Sequence, residues 1–161
     1  MSNDAARSNI ELLTQILDQA YSRKAWHGPN LRQALRALPA KNAAWRPAPD
    51  RHNIWEITVH AAYWKYVVRR KLRGDKRGSF ALKGSNWFMR PAEGNGSDKA
   101  WREDLALLDQ EHQKLLDAVA DMSAGTTRRI PSHFIFGVAL HDVYHAGQIR
   151  LLRRLGASAE R

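Results

Sequence analysis

Four stretches of this chain place apolar residues every three or four positions, which is the spacing of one face of an α-helix. The clearest stretch is expected to be helical from Asp98 to Met122. Its stripe consists of Trp101, Leu105, Leu108, His112, Leu115, Val119 and Met122. No stretch of useful length alternates apolar and polar residues as a strand does. Burying four such stripes against one another predicts an all-α fold, a four-helix bundle.

The N-terminal part of the chain predicts one long and one short helix. The long helix is expected from Asn9 to Arg23, with Ser8 and Glu11 as a capping box. The short helix is expected from Leu31 to Leu38, opened by Pro29. Three further prolines around Trp45 then predict an irregular segment.

The second and fourth long helices also have recognisable end signals. The second is expected to begin after Asn53, a good N-cap, and to end at Gly74. The fourth is expected to follow Pro131 and Ser132 and to stop near Gly156.

A long connection, residues 74–97, joins the second and third long helices. It holds five glycines and one proline around Trp87, Phe88 and Met89. A connection of this length predicts a crossover rather than a simple hairpin, and long loops often carry function.

Length and composition favour one domain, residues 1–161, with a single core. No apolar run approaches the length of a membrane span, and the N-terminus lacks a signal-peptide pattern. Cysteine is absent, which excludes disulfides, thiolate ligands and a cysteine nucleophile. These observations lead us to expect a cytoplasmic protein without membrane contact.

The net charge of +10 raises the question of an anionic partner. The densest basic block runs from Lys65 to Arg77, and a weaker one contains Arg150, Arg153 and Arg154. Such blocks are either solvated helix faces or patches that contact phosphate. No known nucleic-acid-binding motif accompanies them, so contact with nucleic acid rests on charge alone.

Three histidines fall on inward stripes of two different helices. His141 and His145 are one turn apart on the fourth helix, and His60 lies on the second. Imidazoles in a core need a polar partner, which is either a metal ion or a nearby carbonyl or carboxylate. Three neutral nitrogens suit zinc, nickel, iron(II) or copper and leave a coordination position open.

Other histidines carry weaker expectations. His112 lies alone on the third stripe, either as a fourth ligand or as a core imidazole with a hydrogen-bond partner. His27 and His52 lie at helix boundaries. Glu56 is one turn before His60 and either accepts its ring N–H or serves only as a helix cap.

Two known metal-site patterns fit poorly. The spacing His141-Asp142-x-x-His145 resembles the metalloprotease pattern His-Glu-x-x-His, but aspartate is one methylene shorter and no third ligand follows. A ferritin-like di-iron centre needs inward glutamates on all four helices, which these stripes lack.

Several motifs together resemble the DinB-like (DinB/YfiT, damage-inducible) family of four-helix bundles. The resemblance covers nearly the whole chain and is most specific in the segment from Gly137 to Ile149. The remaining motifs are Ala25–Pro29, His52–Glu56, Ile57–His60 and Glu111–His112. The resemblance implies a divalent metal held by His60, His141 and His145.

The better understood members of that family are metal-dependent transferases or isomerases that use bacillithiol, mycothiol or glutathione. The resemblance therefore implies a transferase with a low-molecular-weight thiol cosubstrate and a metal that lowers the pKa of the thiol. Asp142 and Tyr144 flank the ligands and are candidate catalytic residues. The candidates to line the mouth of the site are His27, His52, Trp87 and Phe88.

Two further expectations concern partners. The alternative function is a non-catalytic, stress-associated metal-binding protein that contacts nucleic acid or a partner through its basic face. The resemblance also favours a homodimer, and Ile16, Trp55 and Tyr63 are apolar or aromatic residues off the main stripes that suit such a contact.

Overall fold

The computed structural model describes residues 3–91, 96–122 and 132–159. These residues form helices and connecting segments, and no strand occurs among them. The helices are α1 (Asn3–Tyr21), α2 (Leu31–Ala34), α3 (Ala40–Ala44), α4 (Ile54–Arg73), α5 (Asp98–Asp121) and α6 (Ser132–Ala159).

The N-terminal helices differ from the sequence prediction at their ends. Helix α1 begins at Asn3 rather than Asn9, and the exposed pair Arg7–Glu11, at 3.3 Å, spans the predicted start. The short helix α2 is capped by Asn30 and Gln33, which form a reciprocal capping box.

Two other parts of this region were not predicted. Helix α2 stops at Ala34 rather than Leu38, and Ala37 beyond it has a positive φ of 52°, which a helix cannot contain. The segment expected to be irregular contains the short helix α3, Ala40–Ala44.

Helix α4 has the ends that the sequence predicts. The Asn53 side chain accepts a hydrogen bond from the backbone of Glu56, and the Glu56 side chain accepts one from the backbone of Asn53. Gly74 closes the helix in the left-handed conformation at φ 76°. Local capping thus fixes the frame on which His60 is carried.

Helix α6 continues past Gly156, where the sequence predicted a stop. A Cβ at this position would lie 3.2 Å from the ring of Trp45. The glycine therefore permits close approach of Trp45 rather than ending the helix.

The four long helices pack in a consistent pattern. Helix α4 contacts both α5 and α6, and α1 contacts both of the same helices. Helices α4 and α5 are parallel, because Trp55 bonds Asp104 at their beginnings and Arg73 pairs with Asp121 at their ends.

The connection after α4 returns along the same helix. The Tyr66 hydroxyl accepts hydrogen bonds from the backbone of residues 78 and 79, and Phe80 then packs on Tyr63. Further on, the Arg90 carbonyl accepts a hydrogen bond from the Asn53 side chain at 2.6 Å. The connection therefore runs the length of α4 and passes His60 on the way.

The core consists of two apolar clusters, one at each end of the long helices. Polar residues lie between the clusters along three of the helices: Lys65 on α4, His112 on α5 and Asp142 on α6. All three side chains are buried, so the middle of the core is polar.

Candidate metal centre

Three imidazoles meet between α4 and α6. The Nε2 atom of His141 lies 3.1 Å from Nε2 of His60 and 3.0 Å from Nε2 of His145. One ligand atom of each residue lies within 4.8 Å of the others, and His60 and His145 are buried. We call these three residues the histidine triad.

The Nδ1 atoms of two members are bound to oxygen acceptors. Nδ1 of His60 lies 2.8 Å from the backbone carbonyl of Asn86. Nδ1 of His145 lies 2.7 Å from Oε1 of Gln148, whose Nε2 donates to the hydroxyl of Tyr144. A carbonyl oxygen only accepts, so both imidazoles carry their proton on Nδ1 and present an Nε2 lone pair.

Burial keeps the triad neutral. Loss of solvent lowers the pKa of His141 to about 3, with the neighbouring imidazoles adding to the effect. Burial likewise lowers the pKa of His145 to about 4 and lowers that of His60. Neutral imidazole is the form that ligates a metal, so the triad is ready to bind at neutral pH.

The donor set fits a divalent cation. Two lone-pair nitrogens that face each other about 3 Å apart repel unless a proton or a cation lies between them. Three neutral nitrogens suit the borderline metals zinc, nickel and iron(II). The Nδ1 atom of His141 is buried and has no hydrogen-bond partner among the described residues.

A stack of three rings borders the triad. The indole of Trp87 lies 3.8 Å from the His60 ring on one side and 3.6 Å from the His52 ring on the other, with the planes within 7° of parallel. The structure therefore brings two of the predicted mouth residues, His52 and Trp87, into contact with the site. Trp87 keeps 36% of its surface exposed.

Asn86 is part of the site but was not anticipated from the sequence. Its φ of 64° is left-handed, a conformation that asparagine tolerates better than most residues. Its side-chain oxygen accepts a hydrogen bond from Nε1 of Trp64 at 3.0 Å. A backbone carbonyl leaves no residue-type signature, and the only available signal was an asparagine beside Trp87 in the long connection.

Glu56 does not bond to His60. It accepts hydrogen bonds from both amino groups of Arg46, at 3.0 and 2.7 Å, and from Nδ1 of His52 at 2.9 Å. Burial alone raises the pKa of Glu56, but these hydrogen bonds outweigh burial and lower the pKa overall. Glu56 therefore remains ionised and anchors His52.

The two flanking candidates have different environments. Asp142 is fully buried and forms an ion pair with Lys65, which is also fully buried. Burial raises the pKa of Asp142 to about 6, against the opposing effect of Lys65. Tyr144 is 62% exposed, and its ring lies 5.1 Å from the ring of His145. Of these two residues, only Tyr144 is accessible to a bound molecule.

The remaining mouth candidates lie away from the triad. His27 is exposed on the segment after α1, and no contact joins it to the three imidazoles. Phe88 is 7% exposed and packs against Tyr63 and Phe80 in the core.

His112 belongs to a second buried polar group. Its ring stacks on Tyr21 at 3.9 Å, and Nζ of Lys65 lies 4.6 Å from the centre of the Tyr21 ring. Burial lowers the pKa of His112 to about 2. We call Tyr21, Lys65, His112 and Asp142 the central polar cluster.

The basic block from Lys65 to Arg77 is partly used inside the protein. Lys65 is buried, and Arg69 is 9% exposed and pairs with Glu111 at 3.2 Å. Arg73 pairs with Asp121. Lys65 and Arg69 are therefore neither part of a solvated face nor free to contact phosphate, the two alternatives that the sequence left open for the block.

The residues expected to form a dimer contact pack largely within their own chain. Trp55 is 1% exposed and donates to Asp104 at 2.6 Å. Ile16 and Tyr63 are partly buried and pack against the two apolar clusters. Of the three, only Trp55 is therefore fully withdrawn from the surface.

No described helix is long and apolar enough to cross a membrane. A family model described as the DinB superfamily matches residues 23–149, which include the triad and its neighbours in the connection. No curated protein and no solved structure matches the chain.

Proposed function

The chain belongs to the DinB superfamily, and we propose that it is a divalent-metal-dependent transferase acting with a low-molecular-weight thiol. The observation that carries this proposal is the convergence of three neutral imidazoles on one point. His60, His141 and His145 would hold the ion, with zinc, nickel or iron(II) as the metal. When bound, the ion lowers the pKa of a thiol so that thiolate forms near neutral pH.

The chain's own residues define how a cosubstrate can approach. The chain has no cysteine, so the nucleophilic sulfur must come from a second molecule. The ring stack of Trp87 and His52 covers one side of His60, while the side chain of Tyr144, next to His145, is exposed. In a substitution the sulfur forms a bond to the acceptor carbon, the leaving group departs with its electron pair, and the thiol proton goes to solvent.

Asp142, the other flanking candidate, has a positioning role in this proposal. Its ion pair with Lys65 joins α6 to α4 beside His141. Asp142 thereby holds together the two helices that carry the ligands. Since Asp142 is fully buried, it does not touch substrate.

The scaffold and location complete the proposal. We propose that the four long helices form a four-helix bundle in which residues 74–97 are the crossover; the parallel packing of α4 and α5 supports it. We also place the protein in the cytoplasm, where small thiols are kept reduced.

The test begins with metal content. Untagged protein should contain close to one divalent ion per chain by elemental analysis. His60→Ala, His141→Ala and His145→Ala should each lose most of it, while His133→Ala, an exposed histidine on α6, should keep it. Metal retained in all three triad variants would contradict the site.

Activity is tested separately. Metal-loaded protein incubated with a panel of small thiols and electrophiles should form thioether products, and the His141→Ala protein should form none. If no metal and thiol combination gives turnover while metal binds stoichiometrically, the transferase proposal is wrong.

The second candidate function is a non-catalytic, stress-associated metal-binding protein that contacts nucleic acid. The net charge of +10 favours it, although Lys65 and Arg69 are buried and unavailable. Phosphate contacts predict that affinity for DNA or RNA falls steeply as salt rises. A weak, salt-independent response would remove this candidate.

We further propose a homodimer formed through the outer face of α6. Phe136, Leu140, Leu151 and Leu155 are 41–68% exposed and lie along one side of the helix. Gly147 lies near the middle, and an added Cβ there would meet nothing within 4 Å. A two-fold axis near this glycine would let two α6 helices approach closely and bury the leucines of one copy against the other. Tyr144 lies on the same side of the helix, so in this proposal a bound molecule reaches Tyr144 at the dimer interface.

Light scattering tests the dimer. The expected mass is twice the chain mass of 18.3 kDa. Leu140→Asp together with Leu151→Asp should give monomer, whereas Leu12→Asp, at a 53% exposed position on α1, should not. A monomeric wild-type protein would contradict the proposal.

A further inference from the structure

The connection between α4 and α5 contacts the metal-ligand candidate His60 at two successive residues. We propose that Asn86 and Trp87 are positioning residues: the Asn86 carbonyl selects the tautomer of His60, and the Trp87 ring fixes the plane of its imidazole. This inference rests on the proposed metal site and adds the connection as the part that prepares it.

The tautomer follows from one hydrogen bond. Nδ1 of His60 lies 2.8 Å from the Asn86 carbonyl, which has no proton to donate. The imidazole must therefore donate through Nδ1–H, which leaves the lone pair on Nε2, the atom that faces His141. The opposite tautomer would lose this bond and turn a proton toward the other imidazoles.

The carbonyl is held in place from α4. Asn86 has the left-handed backbone conformation, and its side-chain oxygen accepts the Nε1–H of Trp64 at 3.0 Å. Trp64 is one turn after His60 on the same helix. The ligand and the anchor of its acceptor are thus fixed to one rigid element.

The ring plane is fixed by stacking on both faces of Trp87. His60 covers one face at 3.8 Å, and His52 covers the other at 3.6 Å. His52 is itself held by the Glu56 carboxylate, which Arg46 binds through two hydrogen bonds. The stack therefore ends on a charged anchor at the beginning of α4, and Trp87 cannot tilt without breaking it.

Outside the triad itself, the ring nitrogens of the other two members have no hydrogen-bond partner beyond α6 among the described residues. His145 bonds Gln148, which is three residues further along the same helix. His141 has no Nδ1 partner among the described residues. Among the described residues, only His60 of the triad has an Nδ1 acceptor outside its own helix. The Trp87 ring also lies edge-on to the His145 ring at 6.4 Å, so a change in the connection should act on the triad first through His60.

The experiment measures zinc affinity by competition with a chelator, using the full-length protein. Trp87→Ala and Asn86→Ala should each weaken binding by about 10–100-fold, the usual effect of losing a residue that orients a ligand. Trp87→Phe keeps a flat ring, and Asn86→Asp keeps a side-chain acceptor for Trp64 and tolerates the left-handed backbone; both should recover most of the affinity. Trp26→Ala is the matched control, because Trp26 is fully exposed.

A second measurement reports orientation without metal. Nitrogen-15 NMR of metal-free wild-type protein should show His60 protonated on Nδ1, and Asn86→Ala should show mixed tautomers. Circular dichroism should show unchanged helix content in both alanine variants, since Trp87 is part of no helix and is 36% exposed.

The outcomes separate the two proposals. If wild-type protein binds no zinc, the proposed metal site is wrong. If wild-type protein binds zinc and both alanine variants bind within twofold of it, the positioning role is wrong. Protonation of His60 on Nε2 in the metal-free protein would also overturn the positioning role.

Discussion

The histidine triad and the central polar cluster both place histidines on inward helix faces, yet they differ in what surrounds the rings. In the triad, Nε2 of His141 lies about 3 Å from Nε2 of both other members, and two Nδ1 atoms are bound to oxygen acceptors. In the central polar cluster, His112 stacks on Tyr21, and neither of its ring nitrogens has a hydrogen-bond partner among the described residues.

Burial alone does not separate the two. Loss of solvent lowers the pKa of His112 to about 2 and that of His141 to about 3, so both rings are neutral. The two groups differ in how many imidazole nitrogens converge on one point. They also differ in whether hydrogen bonds hold the ring protons on the atoms that face away from that point. A helical stripe predicts burial of a histidine, whereas ligation requires a second helix to supply further imidazoles.

The largest expected effect is the loss of folding stability when the central polar cluster is broken. Asp142→Ala leaves the fully buried Lys65 without its partner and should destabilise the fold by about 3–5 kcal/mol. Asp121→Ala, in an ion pair that is 40% and 70% exposed, should cost less than about 1 kcal/mol. Denaturant unfolding measures both.

The double variant Lys65→Met with Asp142→Leu sharpens this test. It removes both charges and should recover much of the lost stability. Equal stability losses for Asp142→Ala and Asp121→Ala would show that the buried pair contributes no more than a surface one.

The next effect separates the triad from His112 by their response to metal. Zinc at 100 times its dissociation constant should stabilise the wild-type fold by about 2.7 kcal/mol. His141→Ala should lose this increment, while His112→Phe should keep it, because His112 is not among the converging ligands. Thermal melts with and without zinc measure the increment. Its loss in the His112→Phe protein would show that the ligands have been assigned to the wrong histidines.

The smallest effect concerns pH. The folded pKa of His112 is about 2 and lies below the ordinary unfolded value near 6.5, so between these values the unfolded chain binds the extra proton. Stability from this group is present above pH 6.5 and is lost as pH falls. The loss approaches about 1.4 kcal/mol per pH unit.

His112→Phe should remove this contribution and keep the stack on Tyr21. Unfolding of metal-loaded protein at pH 7, 6 and 5 should show a shallower decline in the variant than in the wild type. Identical slopes would mean that His112 is not held neutral by burial.

The sequence predicted those parts of the structure that depend on local signals. Helix α4 begins and ends where Asn53, Glu56 and Gly74 predict, because capping involves neighbours in the chain. The helical stripes also predicted which histidines are inward. Gly156 was misassigned, because its role depends on Trp45, more than a hundred residues away in sequence.

Two parts of the site could not be predicted for a related reason. The Asn86 carbonyl is a backbone group, and any residue type supplies one. Lys65 was grouped with a basic block, although Asp142 from another helix pairs with it in the core. In both cases the deciding partner lies on a segment that local patterns do not bring close.

The parallel packing of α4 and α5 sets a minimum on the chain length between them. Helix α4 has 20 residues and is about 30 Å long, and about nine extended residues would bring the chain back to its beginning. The connection from residue 74 to residue 97 is well over twice that length. Deletions that shorten it without touching Asn86 or Trp87 therefore remain compatible with the return path, whereas a shortest-path linker would preserve the helices and remove the segment that orients His60.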